Sequence, residues 1–172
     1  MFSIQKDHQA IDKAMQSSGF SLIELLIVVA VILIIAAIAI PNFLRSKMAA
    51  NEAAAIENTR TITTSNVVYS TTYGIGYAAN LSKMATPPAP GPVTSNAAGL
   101  LDNILAAGTK SGYVYTYAAG PLGAGGTIDA YTLQADPLTP NITGTRHFFV
   151  DATGVIRFNS AGAAGPTDTP VQ

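Results

Sequence analysis

The sequence has 172 residues, of which 48% are hydrophobic and only 11% charged, with nine Lys and Arg against ten Asp and Glu for a net charge of -1. Average soluble domains carry about 25% charged residues, so this balance points to a membrane or envelope protein of about one domain. A near-neutral chain excludes a basic nucleic-acid-binding module. The absence of cysteine excludes disulfide scaffolds, thiolate metal sites and cysteine nucleophiles.

The apolar residues are concentrated near the start. Leu25 to Ile40 holds 16 residues without a polar side chain, 12 of them Leu, Ile or Val. No charge follows until Arg45, so Leu25 to Leu44 is a stretch of 20 uncharged residues. As a helix it spans about 30 Å, the thickness of a bilayer's hydrocarbon core. Its Leu, Ile and Val residues favour insertion by roughly 4 to 7 kcal/mol. Glu24 at the edge opposes this by less than the roughly 2.5 to 3.5 kcal/mol of a carboxylate at the bilayer centre. Three readings compete. Ala37-Ile38-Ala39 fits a signal-peptidase site. An uncut single-pass anchor is the second reading. The third rests on the residues at the start of the run.

Those residues are Gly19-Phe20-Ser21-Leu22-Ile23-Glu24-Leu25-Leu26-Ile27-Val28-Val29. They resemble the prepilin signal of the type IV pilin and type II secretion pseudopilin superfamily. The resemblance covers about residues 15 to 45 and includes Pro41, where many pilins kink the same helix. It implies cleavage by a prepilin peptidase after Gly19 and N-methylation of Phe20. It also implies a role for Glu24 in assembly, neutralising the new amine of a neighbouring subunit. Glu24 lies four residues beyond Phe20, one helical turn from that amine. Other roles stay open: Gly19 as a helix boundary with Ser17 or Ser18 as cap, Phe20 as an interfacial aromatic, Glu24 as a snorkelling carboxylate. The leader would be residues 1 to 19, or five residues if Met15 is the true start. Lys6 and Lys13 before the span balance Arg45 and Lys47 after it. A cytoplasmic N-terminus therefore follows from the resemblance and not from charge asymmetry.

Beyond the span, Ala49, Ala53, Ile56, Thr63 and Val67 recur at helical spacing and predict one buried face. Threonines become frequent from Thr59 onward, with low helix propensity, and Gly74 and Gly76 end the pattern. The expectation is one helix from about Ser21 to near Tyr73, roughly 80 Å long. Pro41 should bend or locally melt it, or divide it into two helices. Tyr69, Tyr73 and Tyr77 recur every fourth residue, as core packing at a helix end or as an aromatic ladder.

Residues 85–99 hold Pro87, Pro88, Pro90 and Pro92 and predict a loop. Gly99 to Ala107 predicts a short helix, with Leu100, Leu101, Ile104 and Leu105 on one side, Asp102 in its first turn and Gly108 as its C-cap. Alternation over residues 113–117 predicts a strand with three tyrosines on one face. Residues 120–126 form a Gly-rich turn without the spacing of a phosphate-binding loop. Strands follow at 130–134, 145–150 and 155–158, the last two joined by a short hairpin turn at Asp151 to Gly154. Residues 159–172 are small and polar and predict a flexible tail.

The fold class expected is α+β and pilin-like, a long N-terminal helix packed on a small antiparallel sheet. Its parts would be a leader (1–19), a membrane and assembly half-helix (20–44), an amphipathic half-helix (45–76), a globular head (77–158) and the tail (159–172). Many pilins staple the C-terminal region with a disulfide, which this chain cannot do. Asp129, Asp136 and Asp151 match no calcium-ligand spacing and suit turns and caps. Asn80 and Asn141 begin glycosylation-type triplets. His147 reads as a sheet histidine, and no catalytic motif occurs. The expectation is thus a non-enzymatic subunit without cofactor or metal. Its partners would be further copies in a helical homopolymer, the prepilin peptidase, an inner-membrane assembly platform and the lipid bilayer, with no nucleic acid. It would sit in the inner membrane and then in an extracellular pilus, serving adhesion or motility. The alternatives are a pseudopilin in a periplasmic filament of type II secretion and a membrane-anchored adhesin or binding module.

Overall fold

The computed structural model describes residues 19–88, 91–123 and 125–171. The leader up to Ser18, with Met15, Ser17 and the loop residues Ala89 and Pro90, lies outside the described residues, as do Ala124 and Gln172. The chain divides into two compact units, with the boundary between Asn42 and Phe43. One helix, α1 (Leu22–Tyr73), contributes to both and continues through Pro41. The alternative of two separate helices is therefore corrected. Proline costs the helix one backbone bond, and the helix continues on both sides of it.

In the first unit α1 is apolar on every side. All its Leu, Ile and Val residues from Leu22 to Ile40 are exposed, Leu22 at 81%. In the second unit α1 carries a buried stripe of Glu52, Ala55, Asn58, Thr59, Ile62, Ser65, Asn66 and Tyr69. This corrects the expected face: Ala49, Ala53 and Val67 are exposed and Thr63 and Ile56 are only half-buried. A count of apolar side chains missed the true face because five of its eight residues are polar. The threonines do not end the helix. Thr59, Thr61, Thr63 and Thr71 each donate their hydroxyl to the carbonyl four residues back, at 2.8 to 3.1 Å. Such bonds satisfy the hydroxyl without leaving the helix. Gly74 then ends α1 at φ 65°, its N–H bonded to Ser70 O, a left-handed cap that a side chain would strain.

The sheet has six antiparallel strands in chain order, β1 (Thr109–Lys110), β2 (Tyr113–Ala119), β3 (Tyr131–Pro137), β4 (His147–Asp151), β5 (Arg157–Asn159) and β6 (Thr169–Pro170). Three or four strands are legible by alternation; β1 and β6, with two residues each, are too short to alternate. Tyr113, Tyr115, Leu133, Ala135, Phe148 and Val150 lie on the inner face and join Ala55, Ile62 and Tyr69 of α1 in one core. The observed class is therefore the expected α+β, pilin-like one. A 3-10 turn (Leu81–Met84), capped by Asn80, and a four-residue helix α2 (Asn103–Ala106) close the near side. Asp102 is the N-cap of α2, bonded to the N–H groups of Ile104 and Leu105. The predicted helix from Gly99 is thus shortened, with Leu101 and Leu105 buried and Ile104 exposed.

The predicted flexible tail is also corrected. Thr169–Pro170 pairs with β5, and Asp168 accepts from Asn159 Nδ2 and Gly165 N. Gln134 donates to Ala164 O and Arg157 to Asp168 O, so the tail covers the outer face beside the buried Phe149.

Polar bonds register α1 on the sheet. Asn58 donates to Tyr115 Oη at 3.0 Å. Asn66, fully buried, donates to Tyr117 Oη at 2.9 Å and accepts from Ala78 N at 2.9 Å. Tyr117 in turn donates to Ala78 O at 2.7 Å. Burial pushes the Tyr117 hydroxyl up to about 12, so it stays a donor. Glu52 accepts from Thr145 N, Thr145 Oγ1, Arg146 N and Arg146 Nε at 2.7 to 3.2 Å. Burial pushes the Glu52 carboxyl up, but the bonds from Thr145 and Arg146 outweigh it and hold it below 4.5.

Asn66→Ala orphans Ala78 N–H and removes the donor to Tyr117 Oη, which keeps its own bond to Ala78 O, and should cost about 2 to 4 kcal/mol. Thermal unfolding of the detergent-solubilised full chain, read from tyrosine near-UV dichroism, measures this against the exposed Thr64→Ala as control. A carboxylate whose folded value lies below its unfolded one stabilises fully above the unfolded value. Glu52 should therefore contribute stability above pH 4.5 that is lost as pH falls through its lower folded value. Glu52→Gln should remove that acid-side slope in the same unfolding measurement made across pH.

Candidate processing and assembly site

Gly19, Phe20 and Ser21 precede the first turn of α1 and belong to no helix or strand. A Cβ built on Gly19 would meet nothing within 4 Å. The fold therefore has no need of glycine here. Phe20 is 75% exposed and packs against no core. The Gly19–Phe20 amide lies in an open segment, the kind of backbone that proteases reach.

Ser21 holds the N-cap position of α1; Ser17 and Ser18, the alternative caps, lie outside the described residues. Its carbonyl accepts the first helical bond, from Leu25 N at 3.2 Å. Glu24 stands three residues on, and its Oε2 accepts from Ser21 N at 2.9 Å. This is the returning half of a capping box. A carboxylate there also complements the positive end of the helix dipole. Glu24 is thus held beside the backbone one residue beyond the Gly19–Phe20 bond. It is also the only charged residue between Gly19 and Leu44. Pro41 lies farther along the same helix, beside the boundary between the two units. The structure brings Ser21 and Glu24 together and leaves Gly19, Phe20 and Pro41 without tertiary partners among the described residues.

The other candidates have ordinary roles. His147 Nδ1 lies 2.6 Å from Asp136 Oδ1 within the sheet. Asp151 accepts from Thr153 N and Oγ1 in the turn after β4. Among the described residues no three His, Asp or Glu side chains gather as a metal site. Five of the seven tyrosines form two groups: Tyr69 on Tyr73 at 5.0 Å, and Tyr131 between Tyr77 at 4.9 Å and Tyr117 at 5.5 Å. Glu52, Asn58 and Asn66 escaped the sequence reading. Their one signal is polar residues spaced six and eight apart, facing tyrosines spaced by two.

A family model, the prokaryotic N-terminal methylation motif, matches residues 14–40. No curated protein and no solved structure matches the chain. The matched segment contains Gly19, Phe20 and Glu24 and ends at the last residue of the apolar run, one position before Pro41. Such a motif implies processing by a prepilin peptidase and self-assembly, and together with one helix apolar and long enough to cross a membrane it is consistent with anchoring before assembly. The chain carries the prepilin motif of type IV pilins and pseudopilins, joined to an α+β, pilin-like fold.

Proposed function

We propose that the chain is a structural subunit, not an enzyme, of a type IV pilus-like filament. It enters the inner membrane with its N-terminus cytoplasmic, is cut after Gly19, is N-methylated at Phe20 and polymerises through α1. The filament serves surface functions such as adhesion or motility. The observation that carries this reading is the joining of the prepilin motif to a helix whose first half is apolar and exposed among the described residues. A helix of that kind must be sheathed. Lipid does so before assembly and the helices of further copies do so afterwards. The absence of any structural need for glycine at position 19 supports recognition by a peptidase, since a bare backbone fits a protease cleft most closely. The assembly platform of the inner membrane would extract each subunit from the bilayer.

Glu24 has two roles at successive stages. In the uncut chain it caps Ser21. After the cut, the amine of Phe20 is a second donor of opposite charge within reach of this turn. A carboxylate in an apolar surrounding gains most from a charged partner, and the amine of a neighbouring subunit supplies one across the filament. A pseudopilin of a type II secretion system would be processed by the same chemistry. The two are separated by where the filament forms, outside the cell or in the periplasm.

The mature protein should begin at Phe20 and carry a methylated amine, as read by N-terminal mass spectrometry of the native product. A start at Ile40 would overturn the proposal in favour of signal peptidase, and an uncut chain that forms no filament would favour an anchored adhesin. Glu24→Ala should be cut normally and yield at least about tenfold less filament, the scale of one lost charge-assisted bond. Glu24→Gln retains an acceptor for Ser21 N–H but no charge, so it should fail equally. Normal filaments from Glu24→Gln would reduce the residue to a helix cap.

A further inference from the structure

The turn between β3 and β4 has two aliphatic side chains that the fold does not use. Leu138 is 58% and Ile142 64% exposed. Its backbone, by contrast, is closed on itself. Asn141 N bonds to Gly144 O, Ile142 N and Thr143 N bond to Thr139 O, and Thr139 N bonds to Thr143 Oγ1. Asn141 turns the chain at φ 63°. A turn whose N–H groups at 139 and 141–143 are bonded within it, and whose aliphatic side chains are exposed, is suited to the interfacial layer of a membrane.

The turn is also fixed in place. Asn51 Nδ2 donates to Thr143 O at 2.9 Å, and Glu52 holds Thr145 and Arg146. Gly144 lies so close under the Tyr113 hydroxyl that no side chain fits there. Asn51 is seven residues beyond Leu44, the last residue of the uncharged stretch, in the same unit of the structure. Seven helical residues rise about 10 Å. The headgroup layer of one leaflet is about 5 to 7 Å deep. With this part of α1 along the bilayer normal and Leu44 at the edge of the hydrocarbon, the turn is within side-chain reach of that layer.

Charge agrees with this placement. At this end of the unit, Glu52 pairs with Arg146 and Asp102 with Lys110, and Asp136 is hydrogen-bonded to His147. Arg45 and Lys47 have no ion-pair partner among the described residues, which leaves a cationic collar between span and turn.

We propose that the β3–β4 turn, through Leu138 and Ile142, seats the head on the bilayer surface from which α1 emerges, with Arg45 and Lys47 on anionic headgroups. This rests on the reading of residues 25–44 as a membrane span. The unassembled subunit then holds the membrane at two points, the span and the turn, and extraction must release both.

The cysteine-free sequence permits clean single-site spin labelling. The full chain, labelled at Ile142→Cys or Leu138→Cys, is reconstituted in phosphatidylethanolamine and phosphatidylglycerol vesicles. Accessibility to oxygen and to a nickel chelate is then compared with two controls. Val93→Cys is exposed beside Ser95, which Tyr69 holds 18 residues up the helix from Asn51; Ile34→Cys reports the span. The expected result is loss of nickel access at 142 and 138 relative to 93, with 34 the most protected. Nickel access at 142 equal to that at 93, with 34 protected, would overturn the seating and leave the span intact. Nickel access at 34 would overturn the span and the seating together. Spin–spin broadening at 142 that disappears on dilution with lipid would assign the turn to a second copy and overturn the proposal.

Discussion

One helix has to satisfy two surroundings, and its second half does so with hydrogen bonds as much as with apolar contact. Asn58 and Asn66 reach Tyr115 and Tyr117, and Glu52 reaches the start of β4. Apolar contact alone is non-directional and would let α1 slide on the sheet. The amides and phenols meet at one register only, and an error of one helical position would orphan several buried groups at about 1 to 3 kcal/mol each. The inner-face core of Ile62, Leu133, Phe148 and Val150 packs tightly because this seam has already fixed which side of α1 faces inward.

The first half follows the opposite rule. Besides Glu24 its one polar side chain is Asn42, near the far end, and among the described residues nothing covers it. That makes its surroundings interchangeable: lipid and the same helix from other copies are both apolar. Glu24 breaks the symmetry. Bonded to Ser21 at the start of α1, it is the one point along the run where position matters.

These differences decide what could be read from the sequence. The long helix, the motif around Gly19, Phe20 and Glu24, and strands β2 to β5 show as runs, spacings and alternation. The face of α1 did not show, because Asn58, Ser65 and Asn66 read as surface residues until Tyr115, Leu100 O and Tyr117 are seen to meet them. Nor did the tail, since a strand of two residues carries no pattern and Asp168 organises it through contacts with Gly165 and Asn159. Glu52 looked like one more helix-surface carboxylate, and only the fold brings Thr145 and Arg146, more than 90 residues away in sequence, to it. Long-range polar partners of this kind leave no local trace.

The seam also has a mechanical meaning. Its bonds at Glu52, Asn58 and Asn66 are strung out along α1, each tying the helix to a different point of the head. A pull along the helix axis loads them side by side, so that they share the force and must give way together. A force peeling the head away sideways would meet them one after another. A cysteine-free head built in this way resists tension along the helix without a covalent staple, and can still be taken apart by a lever acting across it.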